Sequence, residues 1–317
     1  MYGCFRATSG TDCARLHEQG RDFIGRDSTQ RPRHQRRGGV GCPRRVASPQ
    51  VSALGDLSPK LVVMEQRTIF ITGASAGFGA AIARRFAAEG ARIVATARRA
   101  ERLDDLRKEL GDDVVLPVAL DVRDRAAIER VVTDLPPDFA DVDVLVNNAG
   151  LALGLEPAHE ADPNDWQRML DTNCAGLMHC TRALLPGMVE RGRGHVVNMG
   201  SIAGSYPYPG GNVYGATKAF VQQFSRNLRA DLLGTGVRVT CVEPGLVGGT
   251  EFSSVRFGGD SERAAAPYTN TEPLTPEDIA ETVHWVVSQP PHVNVNAVEL
   301  MPVSQAFGPM RIHRTES

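Results

Sequence analysis

The chain runs to 317 residues, 42% of them hydrophobic and 6% aromatic, which is material for one large α/β domain or two small ones. A formal net charge of −2 carries no nucleic-acid footprint, and no apolar run reaches the roughly 18 residues that would span a bilayer. The six Cys, at 4, 13, 42, 174, 180 and 241, form no C-x-x-C pair, and no His stands at zinc-finger spacing. The expectation is therefore reduced thiols in a cytoplasmic protein with no metal, Cys174 being a small buried hydrophobe.

Residues 1–63 carry neither helical nor strand periodicity. Ten Arg and Lys60 stand there against five acids, while the remainder, with 24 basic and 32 acidic residues, is mildly acidic. A segment so rich in Arg, Gly, Pro and Ser buries too little surface to offset its ordering entropy. It is expected to be a disordered extension, or a stretch upstream of a working start at Met64. A basic arm for an acidic partner is a second reading. An Arg-rich targeting peptide is a third, against which Asp12, Glu18, Asp22 and Asp27 weigh.

From Arg67 onward, strand and helix signals alternate. Thr68 to Thr72 is a short apolar strand, and Ala80 to Glu89 an Ala-rich helix stopped by Gly90. Arg92 to Ala97 is a second strand, and Arg102 to Leu110 a helix stopped by Gly111. Strand signals recur at Val114 to Leu120, Val142 to Val146, Gly194 to Met199 and Val237 to Val242. Helices are predicted around 124–134, 163–185 and 212–233. A long loop follows, then a helix from Pro276 to Ser288 and a last strand from Asn294 to Met301. Seven strands with intervening helices predict a single-domain α/β fold over 64–317, a Rossmann-type doubly wound sheet of seven parallel strands with helices on both faces.

The turn after the first strand reads Gly73-Ala74-Ser75-Ala76-Gly77-Phe78-Gly79. Glycines allow a tight turn and close approach of a pyrophosphate to the start of the next helix. Where the second strand ends, an acid would bind the ribose hydroxyl of NAD and an Arg the extra phosphate of NADP. Arg98 and Arg99 stand there, no acid lies between Arg92 and Ala100, and Ser75 can add a hydroxyl, so NADP is the expected cofactor. Asp121 ends the third strand, where its carboxylate can accept from the adenine amino group. Asn147-Asn148-Ala149-Gly150 ends the fourth, where amides can support the cofactor and the neighbouring strand.

Tyr214 and Lys218 are drawn from only five Tyr and three Lys in the chain. Random placement would yield a Tyr-x-x-x-Lys about 0.05 times. At i and i+4 on a helix the two side chains share one face, so an ammonium stands near a phenol and can make it a usable acid or base near neutral pH. Ser201 follows the fifth strand, thirteen residues before Tyr214, and Asn173 sits in the long helix before that strand.

Taken in order, Thr-Gly-x-x-x-Gly-x-Gly, Asn-Asn-Ala-Gly, Asn173, Ser201, Tyr214-x-x-x-Lys218 and Pro244-Gly245 resemble the short-chain dehydrogenase/reductase family over about residues 66–303. Further stretches, such as Asn147 to His159, Gly210 to Phe220 and Glu243 to Phe252, are similar to its NADP-dependent 3-hydroxy acid dehydrogenases. Residues 1–63 have no counterpart in that resemblance. It implies hydride transfer between NADP and C3 of serine, allo-threonine or 3-hydroxyisobutyrate, or reduction of malonic semialdehyde, by a homotetramer. It implies Tyr214 as general acid/base, Ser201 polarising the substrate oxygen, Lys218 on the nicotinamide ribose and Asn173 holding a water that links Lys218 to solvent. Phe78, Pro244, Gly245 and Val247 are expected to border the cofactor.

A carboxylate substrate calls for a forked cation. Arg256, in the loop after Pro244-Gly245, is the candidate, with Glu156 and His159 as further pocket candidates. A general ketoreductase for neutral carbonyls and a non-catalytic NADP sensor are the competing readings. The expected partner is a small molecule, with neither nucleic acid nor membrane.

Overall fold

A computed structural model of the chain describes residues 64–308, all of which belong to one compact unit. The expectations for residues 1–63 lie outside the described residues. In chain order the strands are β1 (Thr68–Thr72), β2 (Arg92–Ala97), β3 (Val115–Ala119), β4 (Val142–Asn147), β5 (Gly194–Met199), β6 (Val237–Pro244) and β7 (Ala297–Leu300). They form one sheet in the order β3-β2-β1-β4-β5-β6-β7, and every pairing is parallel. This is the doubly wound sheet read from the sequence. The chain reverses its direction of travel between β1 and β4, so a crevice opens beyond their carboxyl ends.

The helices are α1 (Gly77–Ala87), α2 (Ala100–Leu110), α3 (Arg125–Thr133), the short α4 (Pro137–Ala140), α5 (Pro163–Leu170), α6 (Leu177–Glu190), α7 (Asn212–Asp231), α8 (Phe252–Arg256), α9 (Ser261–Ala265) and α10 (Pro276–Ser288). Successive strand residues point to opposite faces, and both faces are covered. Ile69 and Ile71 of β1 pack with Ile82 and Phe86 of α1, Leu103 of α2 and Val283 of α10. Phe70 between them points the other way, toward Ile128 of α3, Leu184 and Met188 of α6 and Leu228 of α7. Double coverage is why these strands read as continuous apolar runs rather than alternating ones.

Three departures from the sequence reading have local causes. The helix expected over 163–185 is α5 and α6 joined by a π-helical turn, Asp171–Gly176, and it continues to Glu190. The wide turn passes close to the segment after β3, since a Cβ on Gly176 would lie 2.7 Å from a Val122 methyl. The last strand begins at Ala297 rather than Asn294, because Asn294 uses its side chain in place of a backbone rung: its amide bonds both the N–H and the carbonyl of Val239 at 2.8 and 2.9 Å. The long loop after β6 contains α8 and α9, which are too short to show a periodicity.

Candidate active site

Beyond the carboxyl ends of the strands lies a cavity of about 590 Å³. Its floor is the glycine turn. Gly73 and Gly77 adopt φ of +70° and +52°, a region that side chains rarely tolerate, and a Cβ on Gly79 would collide with the Gly73 carbonyl oxygen. No side chain caps the N-terminus of α1, so its first N–H groups face the cavity with the positive end of the helix dipole. That donor set fits a pyrophosphate. Thr72 ties the turn to the next strand, its Oγ1 accepting from the N–H groups of Asn148 and Ala149 at 3.0 and 2.9 Å.

At one end of the cavity are Ser75, Arg98 and Arg99. Arg99 donates to Ser75 Oγ at 3.1 Å and makes a two-point ion pair with Glu251 at 2.8 and 3.2 Å. Arg102 holds the same carboxylate at 2.7 Å. The hydrogen bond from Arg99, then that from Arg102, keeps the Glu251 carboxyl below its ordinary range despite some burial. Sequence reading gave neither Glu251 nor Arg102 a role. Asp121 borders the cavity too, its carboxylate gripped by Arg123 at 2.6 Å and held below the ordinary range chiefly by that bond.

One cofactor expectation is corrected. Asn147 does not line the cavity. Its amide is buried and donates to Thr181 and Asn198, both at 2.9 Å, bracing β4 against α6 and β5. The neighbouring Asn148 borders the cavity instead, donating to the Thr72 and Gly73 carbonyls. Period-two alternation decides between the two, and a run of two asparagines conceals which faces outward.

At the other end the catalytic candidates converge. Ser201 and Lys218 line the cavity beside Tyr214, on which the Phe252 ring packs with centroids 5.7 Å apart. Ser201 Oγ accepts from the Ala203 N–H at 3.1 Å. Lys218 Nζ lies 5.8 Å from the Tyr214 ring centroid and donates to the Met199 carbonyl at 2.8 Å. Burial pushes the Lys218 ammonium down to about 8. Burial likewise pushes the Tyr214 phenol up to about 12, and the opposing influences are the Ser201 hydroxyl and the Arg256 guanidinium. Beside Lys218, which the i,i+4 spacing places there, the phenol therefore has a second cation in Arg256. Its guanidinium carbon stands 5.6 Å from the Tyr214 ring centroid.

Asn173 sits in the π-turn, one layer behind. Its Oδ1 accepts from the Leu151 N–H at 2.9 Å, and its Nδ2 donates to the Leu151 carbonyl and Thr217 Oγ1. Gly150 separates it from Lys218: a Cβ there would be 3.3 Å from Asn173 Oδ1 and 3.6 Å from Lys218 Nζ. Pro244, Gly245, Val247 and Phe78 line the cavity as well. Glu156 and His159 do not line it. Glu156 closes onto the Leu155 N–H, and His159 is exposed beside Glu160. Cys174, Cys180 and Cys241 are buried free thiols raised by burial to about 11, 12 and 12, which makes them inert. Among the described residues no cluster of His, Cys, Asp or Glu could hold a metal ion.

A switch-point cavity with a glycine turn at one end and a Ser–Tyr–Lys set at the other defines a nucleotide-dependent oxidoreductase. The model of the short chain dehydrogenase family matches residues 67–257, and the chain belongs to that family. It is 64% identical over 247 residues to the NADP-dependent 3-hydroxy acid dehydrogenase YdfG of Salmonella typhi, a match covering 78% of this chain and 99% of that one. It is 52% identical over 247 residues to the serine 3-dehydrogenase of Rhizobium radiobacter, covering 78% and 98%. Among solved structures it is similar to the closed form of serine dehydrogenase complexed with NADP+, at 59% identity and a TM-score of 0.77, over 78% of this chain and all of that one.

Proposed function

We propose that this protein is an NADP-dependent 3-hydroxy acid dehydrogenase, oxidising serine, allo-threonine or 3-hydroxyisobutyrate at C3 and, in reverse, reducing malonic semialdehyde. The observation that carries the substrate class is Arg256. Its Nε donates to the Gly154 carbonyl at 3.0 Å and one NH2 proton to Tyr208 Oη at 2.9 Å. The remaining guanidinium protons have no acceptor among the described residues, and they lie beside the Tyr214 ring. A carboxylate seated on that fork sets the carbinol carbon two bonds away, within reach of the phenol. The names of the similar proteins support the same reading.

Ser75, Arg98 and Arg99 would hold the 2′-phosphate, Asp121 the adenine, the turn Gly73–Gly79 the pyrophosphate, and Lys218 the nicotinamide ribose. Bound NADP+ supplies the hydride acceptor and a positive charge near the phenol. Ser201 donates to the substrate oxygen, and Tyr214 takes the hydroxyl proton during oxidation and returns it during reduction. Lys218 and Asn173 flank Gly150 and give that proton a route away from Tyr214. The working domain is residues 64–317. Exposed Leu170, Met178, Trp285 and Phe307 suit burial between copies, in keeping with a homotetramer in the cytoplasm. No helix among the described residues is long and apolar enough to cross a membrane.

The test is Arg256→Met. KM for L-serine is expected to rise more than tenfold, in line with loss of a charge-assisted pair worth about 1.5–3 kcal/mol, while KM for 2-butanol changes less than twofold. An equal rise for both would remove Arg256 from carboxylate recognition.

A further inference from the structure

Tyr208 stands in the cavity wall on the segment between Ser201 and Tyr214, and no motif singles it out. Its ring is held by construction. It lies flat against Gly211, where a Cβ would be 2.8 Å from the ring carbons, and the Gly211 N–H bonds the Tyr208 carbonyl at 3.0 Å. The preceding Gly210 is at φ +78°, and a Cβ there would collide with the Leu155 carbonyl. Gly211 is also the N-cap residue of α7, the helix that carries Tyr214 and Lys218. The position of Tyr208 relative to the catalytic set is therefore fixed by a glycine pair rather than by a flexible loop.

The hydrogen-bond direction follows from the partners. Arg256 can only donate, so Tyr208 Oη accepts from it at 2.9 Å. The phenol's own proton then has no acceptor among the described residues. The Arg256 guanidinium carbon lies 5.5 Å from the Tyr208 ring centroid and 5.6 Å from that of Tyr214, so one cation serves both rings. A phenol that accepts from a cation is polarised into a stronger donor. One side of the cavity thus presents a guanidinium fork and a free O–H next to each other.

We propose that Tyr208 is a specificity residue that donates a hydrogen bond to the substrate carboxylate alongside Arg256. The inference rests on the reading of the protein as a hydroxy acid dehydrogenase. Arg256 neutralises the carboxylate, and Tyr208 fixes its rotation, which selects the face of C3 turned away from Tyr214. A neutral alcohol of the same size gains nothing from either group.

The experiment uses the full chain with NADP+ and L-serine, and two inhibitors of matched size, propionate and its neutral isostere propionamide. Tyr208→Phe keeps the ring on Gly211 and removes the hydroxyl, which is both the free donor and the acceptor of Arg256; the same change made in Arg256→Met reports the donor alone. In the wild-type background its inhibition constant for propionate and its KM for L-serine are expected to rise about tenfold, with that for propionamide unchanged and NADPH binding intact, and in Arg256→Met the propionate constant is expected to rise again by about threefold. Propionate inhibition that Tyr208→Phe leaves unchanged in either background, or an equal loss for propionate and propionamide, would overturn the proposal. Arg256→Met in parallel separates the two readings. If it loses propionate selectively while Tyr208→Phe does not, only the role of Tyr208 falls. If it weakens the two inhibitors equally, or neither, carboxylate recognition at this end of the cavity falls, and the role of Tyr208 with it.

Discussion

Tyr214 must give up a proton to act as a base, yet burial drives its phenol to about 12. As the proposed base it depends on the groups around it: the Ser201 hydroxyl and the Arg256 guanidinium lower its value and Tyr208 raises it, while burial pushes Lys218 down to about 8, so that the Lys218 charge fades as pH rises through that value. Removing a cation that favours the phenolate moves the phenol's titration upward. The rising limb of kcat for oxidation in Arg256→Met is accordingly expected to shift to higher pH, as measured by a pH–rate profile on a saturating neutral alcohol. An unshifted limb would mean that Arg256 does not reach Tyr214 electrostatically. The Tyr214-x-x-x-Lys218 spacing was legible because i,i+4 positions share a helix face. The contribution of Arg256 was not, because it arrives from 42 residues along the chain through a loop whose path no local pattern encodes.

At the scale of elements, β1, β2 and β5 were read to the residue because doubly covered strands are unbroken apolar runs bounded by Gly or polar residues. The helix starts were less legible. The first was read from Ala80, but it begins at Gly77, inside the glycine turn, because low helix propensity is overridden there by the need to bring backbone N–H groups to the cavity. Gly79 is the tightest point of that turn. Gly79→Ala would drive a methyl into the Gly73 carbonyl, so a loss of about 1–3 kcal/mol in stability is expected, along with at least tenfold weaker NADPH binding. Thermal melts with and without NADPH check both, and an unchanged melting shift on adding NADPH would show that the turn tolerates a side chain. The link from Arg99 and Arg102 to Glu251 joins the turn after β2 to the segment leading into α8. Ion pairs across such separations leave no sequence spacing to detect.

Over the whole molecule, the alternation of strand and helix defines one parallel sheet, and the reversal between β1 and β4 puts the glycine turn, Asp121, Ser201 and the wall at Pro244 around a single cavity. This cavity is the place where an alcohol that carries a carboxylate is oxidised with NADP+. The most direct measurement is NADPH formation by the full chain with L-serine, L-allo-threonine, 3-hydroxyisobutyrate and 2-butanol in parallel, each repeated with NAD+. Turnover of the acids is expected with kcat/KM well above that of 2-butanol, and little is expected with NAD+. Turnover favouring the neutral alcohol, or equal use of both cofactors, would contradict it.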